Sequence, residues 1–519
     1  MFRWDEVAGE ARFGVARAIG RLVSMRQTSA LLVMAVLVPL GLLAAEKPFH
    51  GDVLWSFANG AWIVAHGRVA LHDHFSWSVL GKRWEDAEWG FDVVLYLLGR
   101  LWGLDGMLLL VALANALMVG ALYRSARLSG AGSLAAALAS LIVMVFALSY
   151  EKLRAEELSY ALFAVLLWCL EAADAAPWAD PKDAGNGRGR LAWLWTVQAS
   201  PPVRAWWLFV PVVVVWANVY GGFVMAPAFM LLWLAADAVR RPTRGRAWGR
   251  LPAWVGVTVA GGLNPNGFGA WVFPFTLGAN PLVGRYIQEW QSPDFHAAYF
   301  LIIAAAVLLV FALPAMLRSL GSAHLQRVAT LCFLTVAFLH NVRFGMYLLE
   351  YLVVFAGGIG LGARVGVQPR RLFNVVPVLV GLAVAAIPMG RNVPADAAGM
   401  QGMQPRGALR YILTHDVGTR TINWYRYGDA EVMYGIPTFI DGRADLFLGA
   451  PGHVLRWYVD LATMRVPADR VLRHFGARYL FIPKHSDLAV EMHDNRRFRE
   501  VYAGRISELW RLIPRDAPG

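Results

Sequence analysis

Near-continuous apolar runs recur from Leu31 to Pro388, each of a length to cross roughly 30 Å of hydrocarbon as a helix. In lipid every backbone N–H and C=O must be satisfied within the chain, so such runs fold as helices packed against one another. Spans are expected at 29–45, 106–123, 133–149, 157–173, 205–219, 221–239, 251–264, 297–317, 328–342, 344–363 and 372–390. Only 16% of residues are charged and 57% are hydrophobic, against about 25% charged in a soluble domain. The chain reads as a polytopic α-helical membrane protein. Its net charge of +12 lies mostly in arginines of short loops, which is a topology signal rather than a nucleic-acid footprint. Cys169 and Cys332 both lie inside apolar runs, excluding a disulfide framework or a thiolate metal cluster. Five arginines and no small-residue cleavage site precede the first run, which is therefore expected to be retained as a helix.

The stretch from Trp89 to Leu104 decides the topology. Asp92, Tyr96, Gly99, Arg100 and Gly103 fall at helical spacing along one polar stripe. A helix with such a stripe, and tryptophans at both ends, suits the plane of the interface better than the bilayer core. Taking it as interfacial puts 21 Lys and Arg in the amino-terminal segment and the loops on its side, against nine in the opposite loops. The positive-inside rule then gives eleven spans, with residues 1–28 in the cytoplasm and the carboxyl terminus outside.

Beyond Pro388 the composition turns mixed and polar. Residues 391–519 suffice for one small extracytoplasmic α/β domain. Leu409 to His415 and Asp469 to Phe475 read as amphipathic helices, Arg478 to Pro483 as a short apolar string, and Phe439 to Asp445 as a strand running into a turn. The region 29–390 is the transmembrane domain, with outer loops at 46–105 and 264–296 and a cytoplasmic loop from Ala173 to Arg190.

The first outer loop is crowded with acids, imidazoles and tryptophans, which are costly at a membrane surface unless water, a partner or a ligand satisfies them. Asp52, about seven residues past the first span, admits two readings. It is a general base for an acceptor hydroxyl or amine, or it is the N-cap of a helix starting near Val53. His72-Asp73-His74 has metal-ligand residue types, but adjacent residues rarely hold one ion without further ligands, so a structural loop is the competing reading. Glu85, Asp86 and Glu88 offer oxygens to a divalent cation or to sugar hydroxyls, or form a solvated acidic turn opening the next helix. Arg154 and Arg343 stand at helix ends, where a guanidinium fork suits a phosphate or pairs with Glu156, Glu157 or Glu350. The sequence has no Gly-rich phosphate loop, nucleotide fingerprint or Ser-His-Asp order, so ATP-driven chemistry is not expected.

These features together resemble the C-type glycosyltransferase superfamily. The resemblance rests on a first span leading into a large outer loop with an early acid (Gly51-Asp52) and interfacial helices at Val53–His66 and Trp89–Leu104. A basic turn at Tyr123-Arg124, a long mid-chain outer loop and a terminal outer domain complete it. A nearer resemblance, over nearly the whole chain, is to a group of largely uncharacterised bacterial membrane proteins of this type. It is carried by Asp52 to Gly60, His66-Gly67-Arg68, Asp73 to Ser76, Glu88-Trp89, Asn264-Pro265-Asn266-Gly267, Glu289 to Pro293 and Phe439 to Asp445.

The superfamily resemblance implies an inverting transferase in a bacterial inner membrane. Such an enzyme moves sugar from a polyprenyl-phosphate carrier to an envelope lipid, glycan or protein at the outer face. Asp52 then falls at the position of the base, although lipid A aminoarabinose and protein mannosyltransferases commonly show Asp-Glu there and this chain has Asp52-Val53. Arg154, Arg343 and Arg285 are the expected carrier-phosphate ligands; Glu85, Asp86, Glu88, Trp89 and Glu289 the acceptor or sugar pocket. The implied partners are the lipid-linked donor, membrane lipids and the envelope acceptor, with no nucleic acid and no cofactor beyond an optional divalent metal ion. Two rivals stand beside this. A lipid or glycan transporter should bury charges mid-span and show paired broken helices; a non-catalytic scaffold displaying the outer domain would not need the acidic first loop.

Overall fold

The computed structural model describes residues 35, 51–150, 153–175, 206–239, 244–294, 325–358, 404–415, 417–418, 420–449 and 451–513. The amino-terminal segment, the expected spans at 29–45 (save Ala35), 297–317 and 372–390, and the cytoplasmic loop beyond Ala175 lie outside the described residues. The chain divides into two compact units. One comprises Met1–Glu46, Leu108–Asn264 and Gln288–Asn392; the other comprises Lys47–Met107, Pro265–Ile287 and Val393–Gly519. Residues of both expected outer loops thus group with the terminal segment.

The first unit is helical. Its elements include Ser133–Tyr150, Ala155–Ala175, Phe209–Val219, Met225–Val239, Arg244–Ala260, Leu325–His340 and Gly345–Gly358. The eight expected spans that fall wholly or largely on described residues are helical there, with shifted ends. Two helices among the described residues, Trp89–Ser129 and Gly221–Val239, are long and apolar enough to cross a membrane. Leu113, Leu117, Leu138, Ile142, Val145 and Val336 point outward, an apolar exterior that suits lipid and not water. Inside, Phe163 meets Phe229 and Tyr347 edge-to-face at 5.2 and 5.1 Å. Some interior polar groups pair with one another: Trp216 Nε1 donates to Ser159 Oγ at 2.8 Å, and Ser159 shares a hydrogen bond with Tyr347. Arg250, fully buried, is held by Asp237 at 2.6 Å and Asp174 at 2.9 Å.

The second unit begins with the helix Asp52–His66. The following helix starts at Trp89 and breaks at Gly103, whose φ of 62° and ψ of −145° only glycine adopts readily. There the chain doubles back, so that Gly99 lies against Met107 and Gly106 against Leu98. The polar stripe of this helix is spent on the Asp52–His66 helix: Asp92 accepts from Asn59 Nδ2 at 2.7 Å, and Tyr96 packs edge-on to Phe57 at 5.2 Å. Its other face exposes Val94, Leu97, Leu101 and Trp102. Polar inside and apolar outside is the reverse of a water-facing helix.

Four strands form one mixed sheet in the order β1-β2-β4-β3, with β1 Thr421–Asn423, β2 Tyr479–Pro483, β3 Phe498–Ala503 and β4 Ser507–Leu512. β1 runs parallel to β2, which requires the crossover supplied by the helices between them; the other pairs are antiparallel. The apolar string at 478–483 becomes β2, with Leu480, Phe481 and Ile482 buried in succession, as in a strand covered on both faces. The two expected amphipathic helices are present as Arg406–Thr414 and Ala468–Phe475. Leu54 of the first-loop helix joins Leu409, Ile412, Tyr427, Phe481 and Leu509 in one core.

Phe439 to Asp445 differs from the strand expected of it. Thr438 alone pairs, in a bridge with Ser76, and the turn leads into the short helix Ala444–Leu448. The cause is Asn423. Its side-chain oxygen accepts from Phe439 N at 2.8 Å and its Nδ2 donates to Ile440 O at 2.7 Å, replacing a ladder partner with an amide side chain.

Candidate functional site

In the second unit, Asp52 stands half-exposed in the first turn of its helix. Gly51 precedes it and no side chain caps the helix, so the Asp52 carboxylate is not engaged as an N-cap. It reaches Gly442 instead. A side chain on Gly442 would begin 2.5 Å from Asp52 Oδ1, 2.8 Å from Asp429 Oδ1 and 3.1 Å from Trp55 Nε1. Glycine is the residue that lets two carboxylates and an indole N–H converge on one backbone position. Asp429 lies on the helix Tyr425–Met433 and accepts from Gly442 N at 2.7 Å. Tyr425 donates its hydroxyl to Gly442 O at 3.2 Å, closing the group.

Burial separates the two acids of this cluster. Burial, then the nearby charges of Asp52 and Asp441, push the Asp429 carboxyl well above the usual carboxylate range. Asp52 is half-exposed, whereas Asp429 is buried.

Behind the cluster lies a buried scaffold. Arg443 binds Asp441 through Nε and Nη2 at 2.9 and 2.7 Å and Asp73 through Nη1 at 2.7 Å. Its guanidinium lies over Trp84 at 4.7 Å and Phe75 at 5.1 Å. The two acids hold its pKa up against the opposing effect of burial. Asp73 also accepts from Ser76 Oγ at 2.6 Å. Asp73 is thus a structural ligand of Arg443. His74 is wedged between Trp62 and Phe75, at 4.3 and 4.0 Å, and His72 pairs through its backbone with Arg83. Among the described residues no three His, Cys, Asp or Glu side chains are grouped closely enough to hold a metal ion.

The other first-loop acids divide. Asp86 is buried; it accepts from Asn59 Nδ2 at 2.7 Å and from Glu88 N at 3.0 Å, which fixes the start of the Trp89 helix. Burial raises its pKa to about 6. Glu85 pairs with exposed Arg83 at 3.5 Å and lies near Gly269. Glu88 and Trp89 are partly exposed at that helix start, and Arg285 is exposed on the short helix Pro281–Tyr286.

The first unit brings Arg154, Arg343 and Glu289 together. Glu289 Oε1 lies 2.8 Å from Arg154 Nη1, and its Oε2 lies 3.3 Å from Arg343 Nη2. Glu156, almost wholly buried, binds both arginines from the other side, at 3.3 Å to Arg154 Nε and in direct contact with Arg343. Tyr220 donates its hydroxyl to Glu156 at 2.8 Å, and Arg343 lies over the rings of Tyr220 and Trp290 at 5.7 and 5.5 Å. The arginines therefore pair with Glu156, as expected, and also with Glu289, which the sequence reading had assigned to the sugar pocket. Glu157 accepts from Asn115 at 3.0 Å, and Glu350 is wholly buried.

Sequence reasoning did not single out Trp55, Asp429 or Gly442. The signal available was a glycine beside an acid in Tyr427-Gly428-Asp429 and Asp441-Gly442-Arg443, which marks backbone approach but not which residues meet.

No protein family's sequence profile matches the chain, and no curated protein matches it by sequence. Solved structures do match. The arabinofuranosyltransferase AftD from Mycobacteria is similar at a TM-score of 0.55 and 16% identity, over 95% of this chain and 40% of its own. The oligosaccharyltransferase AglB from Archaeoglobus fulgidus, in complex with an inhibitory peptide and a dolichol-phosphate, is similar at 0.55 and 12%, over 95% of this chain and 75% of its own. The apo form of the Archaeoglobus oligosaccharyltransferase gives 0.51 and 12%, over 89% and 70%. The chain shares its fold with these structures, a likeness consistent with the sequence resemblance, and spans 40% of the length of the arabinofuranosyltransferase.

Proposed function

We propose that this chain is an inverting glycosyltransferase that moves a sugar from a polyprenyl-phosphate carrier to a cell-envelope acceptor at the outer face of a bacterial inner membrane. The observation that carries the reading is the half-exposed Asp52 carboxylate converging with the buried Asp429 carboxyl and the Trp55 indole on Gly442, in a chain with the fold shared by an arabinofuranosyltransferase and oligosaccharyltransferases.

In this reading Asp52 takes the proton of the acceptor hydroxyl or amine as the acceptor atom bonds to the anomeric carbon. The bond from that carbon to the phosphate oxygen breaks on the opposite face, and its electron pair leaves with the phosphate. Attack opposite the leaving group inverts the anomeric centre. Arg154 and Arg343 bind the phosphate, whose charge grows as the bond breaks, and Arg285 is assigned to the same task. Glu85, Glu88 and Trp89 are assigned to the sugar and acceptor, with Asp86 fixing the helix that carries Trp89.

Asp52→Asn keeps the shape of the side chain and removes its basicity. Purified protein given prenyl-phosphate sugars extracted from its source membranes is expected to lose transfer about 10²- to 10⁴-fold on this change. Unchanged transfer would remove Asp52 from the chemistry. The transporter reading draws on wholly buried Glu350 and on Glu157 among the helices of the first unit. Carrier-lipid flux into proteoliposomes, without product, would favour it.

A further inference from the structure

Glu289 occupies the two arginines in the way a phosphodiester would. Its two carboxylate oxygens are divided between them, one 2.8 Å from Arg154 and the other 3.3 Å from Arg343. A phosphodiester likewise presents two terminal oxygens that share a single negative charge. We propose that Glu289 is a displaceable stand-in for the phosphodiester of the lipid-linked sugar, and that the exchange selects monophosphate-linked donors over diphosphate-linked ones; this rests on the glycosyl-transfer reading for the identity of the donor.

Three observations make Glu289, and not Glu156, the group that leaves. Glu156 is 1% exposed and starts the helix Ala155–Ala175, whose amino-terminal end favours an anion. It is also fixed by the Tyr220 hydroxyl at 2.8 Å. Glu289 has a side chain 30% exposed and sits on a single turn, Gln288–Trp290. A partly exposed side chain can rotate into solvent while the turn itself, with Trp290, stays in place.

The arginines keep their places when the carboxylate goes. Arg343 is held over the faces of Tyr220 and Trp290 and remains paired with Glu156. Its backbone N–H donates to Asn341 Oδ1 at 3.0 Å, and Val342 N donates to Gln291 O at 2.9 Å, which fixes the turn that carries it. Arg154 keeps Glu156 at 3.3 Å. Replacing a carboxylate by a phosphodiester leaves the local charge unchanged, whatever else surrounds the pair. A diphosphate adds charge beside buried Glu156, so it binds against repulsion. No covalent step is involved: the carboxylate dissociates from the two guanidinium groups and the phosphate oxygens take its hydrogen bonds.

The experiment is a binding titration on the full chain in lipid nanodiscs with two probes, farnesyl methyl phosphate and farnesyl diphosphate. Wild type is expected to prefer the phosphodiester by about tenfold or more. Glu289→Gln, which removes the competing charge and keeps the side chain's size, is expected to tighten phosphodiester binding about tenfold with an unchanged melting temperature. Arg343→Ala should abolish binding of both probes. Equal or weaker phosphodiester binding by Glu289→Gln, a wild-type preference for the diphosphate, or no binding of either probe to either protein each overturns the proposal. The titration needs no turnover, so a protein that shows these affinities but makes no product loses the transferase reading and keeps this site.

Discussion

Arg443 and Asp73 lie 370 positions apart in sequence and are joined by a 2.7 Å hydrogen bond in the interior of the second unit. Each side chain is 1% exposed or less. The bond ties the first-loop segment to the terminal segment, alongside the backbone bonds between Trp77 and Thr438 and between Thr438 and Phe75. Removing Asp73 leaves Arg443 paired with Asp441 but deprives one buried N–H of its acceptor, at a cost of about 1–3 kcal/mol. Asp73→Ala is therefore expected to lower stability by that amount, whereas Glu85→Ala, at the exposed Arg83 pair, should cost no more than about 1 kcal/mol. Denaturant unfolding of the purified chain followed by tryptophan fluorescence checks both. Equal small effects would mean that the buried pair contributes nothing to holding the unit together.

Gly428 and Gly442 make opposite predictions. A side chain on Gly428 would run into Ile440 O and come within 2.8 Å of Asp441 Cα, both backbone, so Gly428→Ala must push the Tyr425–Met433 helix away. Overpacking of this kind costs about 1–3 kcal/mol or more. On Gly442 the same methyl meets the ends of the Asp52 and Asp429 side chains, which can swing aside. Gly442→Ala is expected to melt within a few degrees of wild type and yet lose transfer tenfold or more, because Asp52 is displaced. Loss of fold without a separate loss of activity would make Gly442 a packing residue only.

Much of this fold was legible because its signals are local. Apolar run length announced the helices, and the polar stripe between Trp89 and Leu104 set that stretch apart from the span after it, where the structure breaks the helix at Gly103. The stripe marks an interfacial helix but not the partner it packs on, because Asn59 sits thirty-three residues before Asp92 and carries no pattern of its own. Asp52 was legible as an isolated acid past a span. Its neighbours were not, since Asp429 and Gly442 reach it only through a sheet crossover that no periodicity records. For the same reason His72-Asp73-His74 looked like ligands: the spacing shows residue types, whereas the Arg443 that claims Asp73 is specified by tertiary structure.

Asp86 gives a stability prediction with a definite sign. Burial raises its pKa from 3.8 to about 6, so the folded chain holds a proton there that the unfolded chain has released between about pH 4 and 6. Stability from this group is greatest below about pH 4, is lost as pH rises to about 6, and is flat above. The two-unit shift corresponds to a loss on the order of 3 kcal/mol. Asp86→Asn cannot ionise and escapes that loss. Comparing its unfolding free energy with wild type at pH 4 and pH 7 cancels any hydrogen bond altered by the change. The variant is expected to gain on wild type by a few kcal/mol between the two values. A difference that stays constant with pH would mean that Asp86 does not titrate in this range.

The arginine pair predicts a division between kinetic constants. Lysine keeps the charge of Arg343 but not its planar fork, so Arg343→Lys cannot bond Glu156 and a phosphate oxygen together while lying over Tyr220 and Trp290. Ground-state contact with the donor phosphate appears in KM, and contact that strengthens as the leaving phosphate gains charge appears in kcat. In the proposed reaction the guanidinium would face the oxygen charge that grows as the glycosidic bond breaks, so both constants should move. A fall in kcat/KM for the prenyl-phosphate sugar of about 100-fold, some 2.7 kcal/mol, is expected, shared between a higher KM and a lower kcat. Added inorganic salt should deepen the defect in KM and leave that in kcat, since screening acts on the encounter with free donor more than on a bound phosphate out of water. A wild-type kcat/KM in this variant would remove Arg343 from the leaving phosphate and return the Arg154, Arg343, Glu156 and Glu289 group to a purely structural role.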